Sequence, residues 1–164
     1  MCPKIRILSL VTNLVVGGDG NRLLAFSRAL NRDRFQHTVL TLVAPDHNEN
    51  RAFGLLKPQY DFYGIPVEHL GEEPRSQRRR RQRGLSLLWG DARSFTQVVR
   101  QLLRYVRRNE IDIIDARMTY ATLFGLIVGR LARVSAVVST YYGPDDDPNW
   151  HRPVRYAVAQ AMYS

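Results

Sequence analysis

The sequence predicts an α/β protein whose parallel sheet is covered by helices on both faces. Three observations lead there. Apolar runs of strand length alternate with helical patterns five times along the chain. The first run, Ile5, Ile7, Leu8, Leu10 and Val11, is nearly unbroken, as in a central strand buried on both sides. A glycine turn then joins that run to a helix. With 164 residues, 45% of them hydrophobic and 24% charged, the chain suffices for one domain with a sizeable core, spanning 1–164.

Each element has its own signature. After the first strand the chain passes Thr12 and Asn13 into Gly17, Gly18, Asp19, Gly20 and Asn21, which are turn formers and capping residues. Leu23, Phe26 and Leu30 follow at helical spacing, so Asp19 or Asn21 is expected to cap the first helix. His37 to Val43 is rich in β-branched residues and predicts a second strand, and a short helix falls within Arg51 to Tyr60. Ile65 to Leu70, between Gly64 and Gly71, predicts a third strand. Glu72 to Gly84 contains no apolar residue and reads as an exposed basic loop.

The cleanest helix carries Phe95, Val98, Val99, Leu102, Leu103 and Val106, with Asp91 or Ser94 as its cap. Ile111 to Ala116 predicts a fourth strand. In the helix Thr119 to Arg133, Ala121, Gly125 and Gly129 leave one flank bare for close packing. Ala136 to Thr140 predicts a fifth strand and Val154 to Met162 a last helix. Right-handed crossovers then put the expected site at the carboxyl ends of the strands, where strand order reverses. Asn13, Arg117, Tyr120, Tyr141 and Tyr142 all fall on that rim.

Composition narrows the function. The formal charge is +9, but six arginines between Arg75 and Arg83 account for most of it and leave three charges for the rest. Arg78, Arg79, Arg80 and Arg81 read as a solvated loop or as a contact for an anionic membrane surface. No aromatic residue is interleaved with them, so nucleic acid is not an expected partner. The single cysteine, Cys2, excludes an internal disulfide and fits a reducing compartment. No apolar signal region opens the chain, and the apolar stretch Ala121 to Val138 is broken by Arg130 and Arg133. A soluble, cytoplasmic protein, at most peripheral to the membrane, is expected.

Several chemistries find little support. Gly18 and Gly20 supply two glycines of a dinucleotide fingerprint, but Leu23 stands where the third belongs and nothing acidic closes the second strand. No Gly-Lys-Ser or Gly-Lys-Thr marks a P-loop. His37, His47, His69 and His151 lack ligand spacing and read as surface or strand-end histidines, so no metal is expected. Asp145, Asp146 and Asp147 read as a solvated loop entering a helix. What stands out is the Gly17-Gly18 turn. A backbone without Cβ admits close approach, and the amides opening a helix favour an anion or a sugar hydroxyl.

Two segments resemble the N-terminal domain of glycosyltransferase family 4. Gly17-Gly18, then Asn21-Arg22-Leu23-Leu24, Arg28-Ala29-Leu30 and Asp33-Arg34-Phe35 before a strand, is similar to its opening. Ile111-Asp112-Ile113-Ile114-Asp115, through Tyr120-Ala121 and Gly129-Arg130-Leu131-Ala132 into Val137-Val138-Ser139-Thr140, is similar to its fourth-strand region. The resemblance implies a GT-B architecture, in which two Rossmann-like domains face each other across a cleft and the second holds most of a nucleotide-sugar donor. It further implies transfer with retained configuration, no cofactor and no bound metal. This chain would be the acceptor-side half, without the C-terminal donor-binding domain, because its glutamates lack the spaced pair that the family carries there.

Carried over, the contact with the donor phosphate or sugar falls on Gly17 and Gly18, and Asn13, Arg117, Tyr120, Tyr141 and Tyr142 are expected to line the side of a glycan or lipid-linked acceptor. The chain departs from the family pattern at three places. Asp115 and Arg117 stand where histidines are common, Tyr141 and Tyr142 where another is, and Gly20 where an acidic residue is. The alternative expectation is a non-catalytic module that binds a glycan, a lipid or a protein.

Overall fold

The computed structural model describes residues 3–43, 54–70 and 92–140. Its elements follow in the order β1 (Ile5–Val11), α1 (Gly18–Ala29), β2 (Phe35–Thr41), α2 (Lys57–Phe62), β3 (Val67–His69), α3 (Ala92–Arg108), β4 (Ile113–Arg117), α4 (Met118–Ala132) and β5 (Ala136–Thr140). All strand pairs are parallel and the sheet order is β3-β2-β1-β4-β5. Strand order therefore reverses between β1 and β4, as the alternation of elements predicts.

The period of two in a strand divides the side chains between two cores. Leu8, Leu10, Leu40, Ile114 and Ala116 point to the face covered by α3 and α4, where they pack with Val98, Leu102, Val106, Phe124 and Val128. Val11 and Val39 point to the other face and pack with Leu23 and Leu24 of α1 and with Leu14, Leu56, Tyr60 and Ile65. Full burial of one such leucine stabilises the fold by roughly 1.5–3 kcal/mol. The bare flank of α4 does what its spacing predicts. A Cβ on Gly125 would stand 2.8 Å from Cβ of Ala116, and one on Gly129 would run into Val137, so the helix lies close on β4 and β5.

The structure shifts several expected boundaries. Strand β2 starts at Phe35 and ends at Thr41, β3 is only Val67–His69, and β4 runs to Arg117, so α4 begins at Met118. The cap of α1 is corrected. Gly17 holds the N-cap position, in extended conformation and without a side-chain cap bond. Asp19 lies in the first turn and Asn21 donates its backbone N–H to Gly17 O at 3.0 Å. Helix α3 already runs at Ala92, so Ser94 is inside its first turn. The 72–84 loop with its arginines, Tyr141, Tyr142, the aspartate triplet and the expected last helix all lie outside the described residues. Among the described residues no helix is long and apolar enough to cross a membrane.

Candidate functional site

The β1–α1 connection is pinned by a second segment. Val16 N–H donates to Gly54 O at 3.1 Å, Leu56 N–H donates to Leu14 O at 3.4 Å, and Val15 bridges Leu55. Gly20 belongs to this clasp, since a Cβ there would meet the Val15 carbonyl and, at 2.5 Å, Cδ1 of Leu56. Tyr60 reaches the same turn and donates to Gly20 O at 3.3 Å. Burial raises its phenol well above the ordinary range, so it stays a neutral donor. Gly20 is therefore a packing glycine.

Gly17 and Gly18 are different. Both are exposed, and among the described residues a Cβ built on either would meet nothing within 4 Å. The corner is open at the carboxyl rim, beside the reversal of strand order.

Behind it runs a buried polar stripe on the α1 face of the sheet. Asp115 and Arg117 are each only 6% exposed. Ser9 lies opposite Asp115 in the β1–β4 pair and donates from Oγ to Asp115 Oδ2 at 2.9 Å. Arg117 Nε donates to that same oxygen at 2.8 Å, and Arg117 Nη1 reaches Asp19 Oδ1 at 3.3 Å. Burial opposes the Arg117 charge, but Asp115 and Asp19 outweigh it and hold the guanidinium above its ordinary pKa. Burial raises the Asp19 carboxyl, and Arg117 opposes that shift. Phe26 of α1 roofs the stripe, with the Arg117 guanidinium 5.6 Å from its ring centre.

The stripe ends at His37, which corrects the reading of that residue as an ordinary surface or strand-end histidine. Its Nε2 lies 2.9 Å from Ser9 Oγ. Because the Ser9 proton goes to a carboxylate, Nε2 must carry the proton and donate to Ser9. Nδ1 is then the lone-pair nitrogen, buried and without a hydrogen-bond partner among the described residues. Burial lowers the pKa to about 4, with Asp115 opposing that shift and Arg117 reinforcing it.

The expected site residues thus separate into groups. Gly17, Gly18 and Arg117 come together at one rim, linked through Asp19, with half-buried Asn13 and Tyr120 on the segments that flank them. Arg117, however, is buried between two carboxylates. Met118 beside it holds φ 69°, a left-handed conformation disfavoured for any side chain. Ser9, His37 and Asp19 complete the arrangement, and none of the three is an expected site residue. The sequence does carry a signal for them, because polar residues at Ser9, Asp115 and Arg117 inside otherwise apolar central strands need partners. Among the described residues no group of three or more His, Cys, Asp or Glu is placed to hold a metal ion.

No family model and no curated protein matches the chain. Solved structures do. HepE from Anabaena, in complex with UDP and glucose, matches with a TM-score of 0.63 at 20% identity, over 96% of this chain and 35% of its own. MurG from Acinetobacter baumannii matches with a TM-score of 0.52 at 21% identity, over 84% of this chain and 35% of its own. UDP-GlcNAc 2-epimerase from Neisseria meningitidis, bound to UDP-GlcNAc, matches with a TM-score of 0.56 at 10% identity, over 93% of this chain and 36% of its own. The chain therefore spans about a third of the length of these structures. Its fold is Rossmann-like α/β, similar to one half of GT-B enzymes.

Proposed function

We propose that the chain is the acceptor-side half of a glycosyltransferase that uses a nucleotide sugar, related to family 4. The observation that carries this reading is the open Gly17-Gly18 corner where β1 enters α1, on a fold shared with HepE, whose structure holds UDP and glucose. In the reaction the acceptor hydroxyl oxygen forms a bond to the anomeric carbon as the bond from that carbon to the donor diphosphate breaks; the electron pair leaves with the nucleotide, whose departing phosphate oxygen takes up the hydroxyl proton. Backbone amides at the start of α1 are suited to the charge that grows on the diphosphate. Asn13, Tyr120, Tyr141 and Tyr142 would line the acceptor side.

In this reading Arg117 acts through Asp19. Tied to Asp115, it holds the first turn of α1 in place rather than reaching a phosphate itself. Retained configuration, independence from metal and cofactor, a glycan or lipid-linked acceptor and a cytoplasmic location belong to the same proposal. They rest on the family resemblance.

The test supplies the chain with a C-terminal donor-binding half and offers UDP-glucose or UDP-GlcNAc with glycan and lipid-linked acceptors. A new glycosidic bond, or slow hydrolysis of the sugar nucleotide, is the expected result. No turnover and no binding of either sugar nucleotide would overturn the proposal. The match to a 2-epimerase favours a second reading, in which the product is an epimerised UDP-sugar and no acceptor is consumed. Product analysis by NMR separates the two.

A further inference from the structure

The opposite rim, where β1 and β2 begin, carries four exposed cations and one protruding aromatic ring. We propose that this amino-terminal rim docks on an anionic lipid bilayer, with Phe62 entering the interface and Lys4, Arg28, Arg32 and Arg34 facing the headgroups. The inference is independent of the reaction assigned to the glycine corner. It also rests on residues other than the 75–83 arginine run.

Phe62 ends α2 and is 82% exposed, the largest fraction for a large apolar side chain among the described residues. Tyr63 packs edge-on against it, with ring centres 5.1 Å apart. The cations are braced to this segment. The Arg28 guanidinium lies 4.2 Å from the centre of the Tyr63 ring, Arg32 Nη2 donates to Tyr63 O at 2.7 Å, and Lys4 Nζ donates to Arg32 O at 2.7 Å. Arg34 lies over Phe35 with its guanidinium 5.7 Å from the ring centre.

Those partners are rings and carbonyls, while the acidic residues beside Lys4, Glu110 and Asp112, are engaged by Arg6 through its side chain and its backbone N–H. Among the described residues no carboxylate pairs with any of the four cations. Nearby Asp61 is neutralised by Lys57 at 2.7 Å, which leaves Asp33 as the counter-charge on this turn. Lys4 and Arg32 line a recess of about 240 Å³ together with Phe35, Ile65 and Pro66.

An exposed aromatic ring beside a segment braced by Arg28 and Arg32, with Lys4 and Arg34 on the same rim, suits an interface that is apolar just below a negative surface. Other occupants fit less well. A second copy would bring the same positive patch against itself in a two-fold contact. Single-stranded nucleic acid needs successive open ring faces, yet Tyr63 is already engaged by Arg28 and Phe62. Docking by this rim would leave Gly17 and Gly18 facing solvent, about 20 Å away across a seven-residue strand.

The test uses the full chain with the six arginines of the 75–83 run replaced by glutamine. It is sedimented with vesicles of phosphatidylglycerol and phosphatidylcholine in equal parts, and with phosphatidylcholine alone. Binding to the anionic vesicles only is expected, weakened roughly fivefold or more by Phe62→Ser and by Arg28→Gln. The thermal midpoint should be unchanged, because both side chains are exposed. A polarity-sensitive dye on Phe62→Cys in a Cys2→Ser background should shift to the blue on anionic vesicles. Failure to bind, equal binding by the variants, or displacement by inorganic phosphate would overturn the proposal. So would Phe62-dependent binding of mixed-sequence RNA, or a Phe62-dependent dimer, in place of vesicle binding.

Discussion

Nε of Arg117 lies 2.8 Å from Oδ2 of Asp115, two residues earlier on the same strand. Neighbours at that spacing share one face of β4, and here the face is buried. Removing one member therefore strands the other. Asp115→Ala is expected to cost about 3–5 kcal/mol in chemical denaturation. Asp19→Ala, which leaves Arg117 its Asp115 partner at a more exposed site, is expected to cost about 1 kcal/mol or less. Equal losses in the two variants would contradict the hierarchy.

His37 makes stability depend on pH. Its folded pKa of about 4 lies below the ordinary 6.5, so between those values the unfolded chain binds more protons. Stability present above pH 6.5 is then lost as pH falls toward 4, by about 3 kcal/mol in total. Asp19, with its pKa raised, works the other way and stabilises slightly as pH falls toward its window. Denaturation curves taken from pH 7 down to 4.5 should show the loss, and His37→Gln should flatten it.

The three glycines of the corner are expected to respond differently to alanine. Gly17→Ala and Gly18→Ala place a methyl group in open space and should leave stability within about 0.5 kcal/mol of the parent, while weakening the binding of a nucleotide sugar. Gly20→Ala drives a methyl group into the Val15 carbonyl and should cost about 1–3 kcal/mol. Thermal melts, paired with titration calorimetry of UDP-glucose into the chain supplied with a donor-binding half, separate the two effects. Unchanged affinity in all three variants would remove the corner from the binding site.

Met118 offers a gain. Its φ of 69° is one that glycine adopts freely, and its side chain is 42% exposed. Met118→Gly should stabilise the chain by about 1 kcal/mol, because relief of the left-handed conformation exceeds the modest packing of a side chain that faces solvent. A drop in melting temperature would show that the methionine contributes more through packing than its exposure suggests.

The alternation of elements, the sidedness of α4 and the open glycine pair are legible in the sequence because each rests on local periodicity or on residue type. The cap of α1 is not, because Asp19 and Asn21 are good capping residues in isolation, whereas Gly17 takes the N-cap and Asp19, inside the first turn, meets Arg117, 98 positions later in the chain. His37 misleads for a similar reason. Nothing near it in sequence announces Ser9 or Asp115, and only the pairing of β1 with β2 and β4 brings them together. Gly20 invites a functional reading and is instead dictated by Leu56, which packs on it from a distant segment.

The shared carboxylate of Asp115 also guards the assembly of the sheet. Were β4 to slip by one residue against β1, every side chain on it would change sides, and Asp115 and Arg117 would enter the dry layer beside Leu8 and Leu10 without Ser9 or Asp19 to meet them. Misaligned pairings are thus penalised by stranded ions, and the correct alignment is selected before any ligand arrives.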